Sequence, residues 1–570
     1  MTRDRRARRH GHEFLKTLAV AGILLLCVGP SWSALGARQR SGQVPAGQSA
    51  AGRIAGRVTG VADGRPIAGA VLRLLAPAIR VQKSARTDAD GRFEFTELPA
   101  GSYQLSVQAE AYLPGAFGAS SPGEPAKPIV LGDGAAFTEA DFGLWHPSAV
   151  EGTVTDEFGD PVPGIEILIS RLDFAAGKRR LFPVGGRSAD HATDDQGHFR
   201  VPGLPPGEYY LTAVSGVFTE RNETAGFAPT YYPSAIEAAD AQPVRLALGQ
   251  DATGLAFRLQ PSTMASIRGR VLDAAGQPVG LATLMLFPAD RGTVASLMLA
   301  RGVTQADGSF ELRNVPAGAF ALQAFGRPEG GGNLGKSPFG AASIDVNGRD
   351  LRGVEVAVRP GAVIRGRIVF EDGTPPSIDP TRVQVSGLPV EFESNPIGGG
   401  PPNRTMNPDW TFEVENQFGL RVIRANIAAP GWSLKRITRD GTDITDAPTD
   451  FRSGDATGVE VVFTKAASSL SGRVQRDDGS PAENYTVVVF AADPRRWTFP
   501  SRYVAIGRPN QEGTYEVAGL PPANYLAIAV PRVEGTTWQD PAVLDQWRPL
   551  ASGVTLGAGP ATLDLRLVGR

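Results

Sequence analysis

The chain has 570 residues, with 57 basic and 59 acidic side chains and a formal charge of −2; at about 100–200 residues per domain, that length predicts three to six domains. Glycine and proline make up about a fifth of it, short of the ~25–30% that marks low-complexity disorder, and 42% hydrophobic residues suffice to build cores. Cys27, His10 and His12 fall in the first 33 residues, so the remainder has three histidines and no cysteine, which excludes disulfide frameworks, thiol nucleophiles and cysteine-ligated metal or haem centres.

The first element is a basic start, Arg3, Arg5, Arg6, Arg8, Arg9 and Lys16, followed by an apolar run at residues 18–28. Such a run is too short to cross a bilayer, which takes about 20 residues, and matches the core of a signal peptide. Ser31-Trp32-Ser33 and Ala34-Leu35-Gly36 both offer small residues for cleavage. Residues 1–33 are therefore expected to be a signal peptide, and the protein to be periplasmic, cell-surface or secreted. An uncleaved anchor is one alternative. Lipidation at Cys27 is another, opposed by the large Leu26 before it. Removing residues 1–33 takes away six basic and two acidic side chains and leaves a net charge of about −6. That balance gives no attraction for nucleic acid. No later apolar run approaches 18 residues, so no membrane span is expected in the mature chain. Residues 34–52, rich in Gly, Gln, Ser and Ala, read as a flexible tether.

Next, a strand-like opening recurs five times: Ile54-Ala55-Gly56-Arg57-Val58, Val150-Glu151-Gly152-Thr153-Val154, Ile267-Arg268-Gly269-Arg270-Val271, Ile364-Arg365-Gly366-Arg367-Ile368 and Leu470-Ser471-Gly472-Arg473-Val474. The central glycines are 96, 117, 97 and 106 residues apart. The alternation has the period of a half-buried strand. A Gly/Pro turn follows each opening, as in Gly276-Gln277-Pro278 and Asp478-Gly479-Ser480-Pro481. In four copies a second alternating run comes next, for instance Ala70-Val71-Leu72-Arg73-Leu74.

The most specific signal lies mid-repeat. It reads Thr87-Asp88-Ala89-Asp90-Gly91-Arg92-Phe93-Glu94-Phe95 and then Leu98-Pro99-Ala100-Gly101-Ser102-Tyr103. It returns from Thr193 to Tyr209, from Thr304 to Phe320 and, more loosely, from Glu512 to Tyr525. Each half is hairpin chemistry, with Asp-Gly turning the chain and aromatic residues spaced by two pointing into one core. Short strands at about 8–12-residue spacing, with no long helical period, predict β-sandwiches. The best candidate for a short helix, residues 235–241, is expected in a loop.

This pattern resembles the carboxypeptidase regulatory-like domain, a transthyretin-like, Ig-like β-sandwich related to collagen-adhesin B-type repeats and grouped with a carbohydrate-binding-like fold. Copies one to three match well and copy five loosely. Copy four departs most, with Asn407-Pro408-Asp409-Trp410-Thr411-Phe412 in place of Asp-Gly-x-Phe and Gln417-Phe418-Gly419 in place of the Pro-x-Gly turn. The expected fold is all-β: five tandem seven-strand sandwiches at 53–146, 147–262, 263–360, 361–466 and 467–570. The resemblance implies fold rather than activity, because in the peptidases these domains sit beside the catalytic domain.

Tests for an active site fail on the residues. A zinc peptidase site needs His-x-x-Glu and a further histidine. His191 and Asp194 have that spacing, but Thr193-Asp194 belongs to the repeated turn, and Thr87-Asp88 has no histidine nearby. The paired aspartates Asp88/Asp90 and Asp194/Asp195 read as turn formers rather than a calcium loop. No Gly-x-Ser-x-Gly elbow occurs. Gly330, Gly335, Lys336 and Ser337 match a phosphate loop in letters only, between Pro328 and Pro338. Collagen-adhesin repeats can carry a Lys–Asn isopeptide crosslink, but the first-strand positions here are Arg57, Thr153, Arg270, Arg367 and Arg473, so none is expected. No cofactor and no metal are expected.

Sugar-binding modules stack sugar faces on exposed aromatics. Five of the six mature tryptophans fall in copies four and five. Trp497, Trp538 and Trp547 sit in loop-like segments, and Tyr231 and Tyr232 end an insertion in copy two; these five are the expected ligand-binding residues. Trp410 and Trp432 are expected to be structural. The function expected is an exported, non-enzymatic binding or scaffolding protein with weak carbohydrate affinity, its partner a glycan or a cell-envelope protein and its oligomeric state open. An inert adhesion or spacer stalk, and an accessory subunit of a peptidase or outer-membrane transport system, are the alternatives.

Overall fold

The computed structural model describes residues 52–569 apart from 80, 176, 185–190, 216–224, 290–299, 328–335, 392–394, 398–402, 430 and 467. The expected signal peptide, almost all of the tether and the Gly330–Gly335 part of the phosphate-loop-like run lie outside the described residues.

Each repeat is built outward from its opening strand. These strands are Gly52–Gly60, Ser148–Thr155, Ala265–Leu272, Ala362–Phe370 and Ser468–Gln475. Each pairs antiparallel with the strand that follows the mid-repeat turn and parallel with a strand near the end of its repeat. The register is the same throughout: Gly56 faces Phe93, Gly152 faces Phe199, Gly269 faces Phe310, Gly366 faces Phe412 and Gly472 faces Tyr515. A β-carbon on any of these glycines would overlap a backbone carbonyl oxygen of the neighbouring segment, that of Ala140, Leu255, Val354, Val459 or Leu563. The recurring glycine is thus required by close approach of two backbones over an aromatic ring.

A second sheet closes each sandwich, and in all but the fourth repeat the second alternating run lies inside it. In the third repeat the order is Ala300–Val303, Thr283–Pro288, Gly318–Phe325, Phe339–Val346, and that repeat holds seven strands among its described residues. Alternate residues meet between the sheets, as Ile267, Val271, Leu284, Leu286, Phe310 and Leu322 do. The chain is a tandem array of β-sandwiches, as expected. The expected loop at 235–241 contains one turn of 3-10 helix, Ala238–Asp240.

The fourth repeat diverges in structure as in sequence. Among the described residues its opening-strand sheet has six strands, with Arg404–Met406 added at one edge and Ser433–Arg439, paired with Ala456–Thr464, and Thr442–Asp443 at the other, and the second sheet has three. Trp410 stands where the other repeats have the turn glycine and takes its positive φ, +67°. Its ring packs edge-on to Phe370 at 4.8 Å, and Trp432 does the same at 5.1 Å. Both tryptophans are structural.

Candidate functional site

The polar residues that the repeats share hold the sandwiches together. The Thr87, Thr193 and Thr304 hydroxyls are buried; each donates to a carbonyl (of Ile67, Val162 or Val279, all at 2.7 Å) and accepts from the backbone N–H of Ala70, Ile165 or Ala282. Asp88 Oδ1 accepts from the N–H of Asp90 and Arg92, and Asp194 Oδ1 from those of Gln196 and His198, at 2.8–2.9 Å. These are Asx turns. The His198 N–H is the main reason the Asp194 carboxyl lies below its ordinary value. His198 Nδ1 stands 3.8 Å from Asp194, both exposed, and His146 stacks on Tyr112 at 4.4 Å. Among the described residues, no three His, Cys, Asp or Glu side chains are grouped to hold a metal ion. Tyr103, Tyr209 and Tyr525 each donate their hydroxyl to the proline carbonyl four residues earlier, at 2.5–2.7 Å.

The structure places the predicted aromatic residues in and around two separate cores. Trp497 is 3% exposed, donates Nε1–H to the Ala491 carbonyl at 2.7 Å and packs edge-on to Phe490. Its ring has no face left for a sugar, because the Pro494–Arg496 turn, capped by Asp493, folds it inward. Trp538 and Trp547 are half-buried against the same core. Tyr231 is 1% exposed in the second repeat, and the half-buried Tyr232 meets Phe257 edge-on at 5.4 Å. The five residues form no common platform.

What exceeds the repeated pattern meets elsewhere. The insertion that carries Trp538 and Trp547, with its helix Pro541–Trp547, reaches across to the long hairpin Glu166–Ala175/Lys178–Pro183 of the second repeat. Thr536 donates its N–H and hydroxyl to Asp173 Oδ1 at 2.7 and 2.6 Å, and the same hydroxyl lies 2.5 Å from the Phe174 carbonyl. Gly535, at φ +49°, leaves no room for a side chain, since a β-carbon would lie 2.6 Å from the Asp173 carboxylate. Arg179 Nε donates to Asp540 Oδ2 at 2.5 Å, while Asp540 Oδ1 caps the helix through the Ala542 N–H.

The fifth repeat also docks on the first. Arg508 Nη2 stands 3.4 Å from Glu124 Oε2, the two side chains 9% and 8% exposed, and Nη1 donates to the Pro125 carbonyl at 2.8 Å. Lys127 Nζ donates to the Glu483 carbonyl at 2.6 Å, and Arg532 to Ser121 Oγ at 3.1 Å. Gln511 accepts the Val130 N–H at 3.0 Å and donates to the Val130 carbonyl at 2.7 Å, as a neighbouring strand would. Burial lowers the pKa of both Arg508 and Lys127; for Lys127 the Arg508 charge adds to that, whereas Glu124 opposes it in both. A cleft of about 340 Å³ opens where the three repeats meet, with Glu124, Asp173, Arg179, Arg532, Glu534 and Asp540 among its lining.

Arg508, Glu124, Gln511, Asp173 and Thr536 carry the junction, and sequence reasoning missed all five. The available signal was excess length: the second repeat is about twenty residues longer than the first or third, and the fifth is also somewhat longer than either.

Residues 53–138 and 149–260 match the family model of the carboxypeptidase regulatory-like domain. No curated protein matches the chain. Among solved structures it is similar to the Bacillus anthracis TIE protein, at 10% identity over 88% of this chain and 68% of that one, TM-score 0.14. It is also similar to the minor pilin GBS52 of Streptococcus agalactiae (14% identity, 37% and 96% covered, TM-score 0.23) and to BcpA, the major pilin subunit of Bacillus cereus (14%, 54% and 99%, TM-score 0.14). Two successive repeats of this chain, at 53–138 and 149–260, are therefore carboxypeptidase regulatory-like domains.

Proposed function

We propose that the protein is an exported, non-enzymatic scaffold whose sandwiches are held in a closed arrangement and present their outer surfaces to a cell-envelope partner. Closure by the Arg508–Glu124 pair carries this reading, since it joins the first and fifth repeats through residues 384 apart in sequence. The Thr, Asp and Tyr residues common to the repeats are engaged in turns and corners, which supports a non-catalytic role. Of the aromatic residues expected to meet sugar, Trp538, Trp547 and Tyr232 keep part of their surface in solvent, and weak glycan contact falls to them.

Solution scattering on residues 34–570, with turnover assays on peptide, ester and glycoside substrates, tests the reading. A compact particle without turnover is expected. An extended profile supports the spacer stalk instead, and turnover that scales with protein concentration overturns the non-enzymatic assignment.

A further inference from the structure

The junctions between repeats are of two kinds. Leu168 and Val214 of the second repeat are buried in the core cluster of the third, so those two share apolar packing. The contacts of the fifth repeat with the first and second are polar: Arg508–Glu124, Lys127–Glu483, Gln511–Val130, Arg532–Ser121, Thr536–Asp173 and Arg179–Asp540. Among the described residues no buried apolar cluster crosses this second junction. Polar contacts between domains of one chain resemble transient protein–protein interfaces. Their release opens no buried apolar cluster of the described residues.

On the closed arrangement read above, we propose that the surface of the first and second repeats under the fifth is an exchangeable docking surface, and that its partner in trans is the fifth repeat of a second copy. The complementarity is already present, because each chain carries both halves: a receiving face with Glu124, Val130 and Asp173, and a docking face with Arg508, Gln511 and Thr536. Exchange of an identical element between copies is a low-cost route to dimers. The third and fourth repeats tether the two halves and set an effective concentration of about 1 mM or below, above which trans pairing competes.

Charge reversal tests this. Glu124→Arg places two arginines at the chain's own junction, and Arg508→Glu places two glutamates there. Each variant alone is expected to be monomeric, with a larger radius of gyration than the unaltered chain and the same thermal midpoint for its sandwiches. Mixed one to one, the two chains complement each other at both junctions, and a species of twice the monomer mass is expected by light scattering. The double variant Glu124→Arg/Arg508→Glu is expected to close on itself again. Two folded variants that stay monomeric when mixed overturn the proposal. If either variant fails to fold, sedimentation of the unaltered chain decides: dimer growing in as concentration nears about 1 mM is expected, and monomer throughout overturns it. Loss of closure in the unaltered chain at micromolar concentration would instead count against the scaffold reading.

Discussion

Gly269 and Val354 approach each other more closely than any side chain permits: a β-carbon on Gly269 would overlap the Val354 carbonyl oxygen and lie 2.8 Å from the Phe310 ring. The closing strand and the aromatic core hold the opening strand from two directions. Gly269→Ala should therefore cost about 1–3 kcal/mol, the usual range for overpacking. Gly553→Ala, with nothing within 4 Å of its β-carbon, should stay within ~0.5 kcal/mol of the parent. Calorimetry of both variants checks the contrast, and equal midpoints would remove the close-approach account of the repeated glycine.

Thr304 clamps the loop before the second alternating run, donating to Val279 and accepting from Ala282 inside the core. Thr304→Val keeps the shape and leaves the buried Ala282 N–H and the part-buried Val279 carbonyl without this partner, an expected loss of about 2 kcal/mol in chemical denaturation. Thr304→Ser keeps the hydroxyl and should lose clearly less. If serine is as damaging as valine, the methyl group rather than the clamp is what matters.

Three buried tyrosines make the fifth repeat sensitive to alkali. Burial pushes the Tyr485 phenol from 10.0 to about 12, and it pushes up Tyr515 and Tyr525 as well. In the unfolded chain a tyrosine ionises near ~10. The neutral phenols thus stabilise the fold fully below pH 10, and that contribution is lost as pH rises from 10 through the folded values. Phenolate absorbance should show part of the ten tyrosines ionising late, together with unfolding of the fifth repeat. One smooth titration of all ten near pH 10, with the fold retained, would contradict this.

Trp497→Ala removes a fully packed ring and the Nε1–H bond to Ala491, an expected loss of about 3–5 kcal/mol. Trp547→Ala, at the half-exposed end of its helix, should cost less. Thermal scans rank the two, and near-equal losses would mean that Trp547 is as central to the core as Trp497.

Much of the sandwich was legible because its signals are local. The Asx turns at Asp88 and Asp194 and the tyrosines after the Pro-x-Gly turn act within a few residues of themselves, so spacing reveals them; the glycine of each opening, whose close neighbour lies far along the chain, shows only through its recurrence. Trp497 was not legible in the same way. A loop tryptophan that folds back on its own core and one that faces solvent have the same composition around them, and the difference lies in one capped turn. The junction was least legible. Glu124 and Arg508 are ordinary exposed-looking charges in sequence, and only the fold brings them together. The surplus residues of the second and fifth copies marked where to look without saying what they would touch.

The docking of the fifth repeat has a mechanical consequence. Sandwiches joined only in series part wherever their weakest connection fails. Here a break between the third and fourth repeats, near Arg359 and Gly361, would leave the two halves still linked through Arg508–Glu124 and Thr536–Asp173. Two separate connections must then fail before the particle comes apart, so a single protease cut in that segment is expected to leave a nicked but associated pair of fragments.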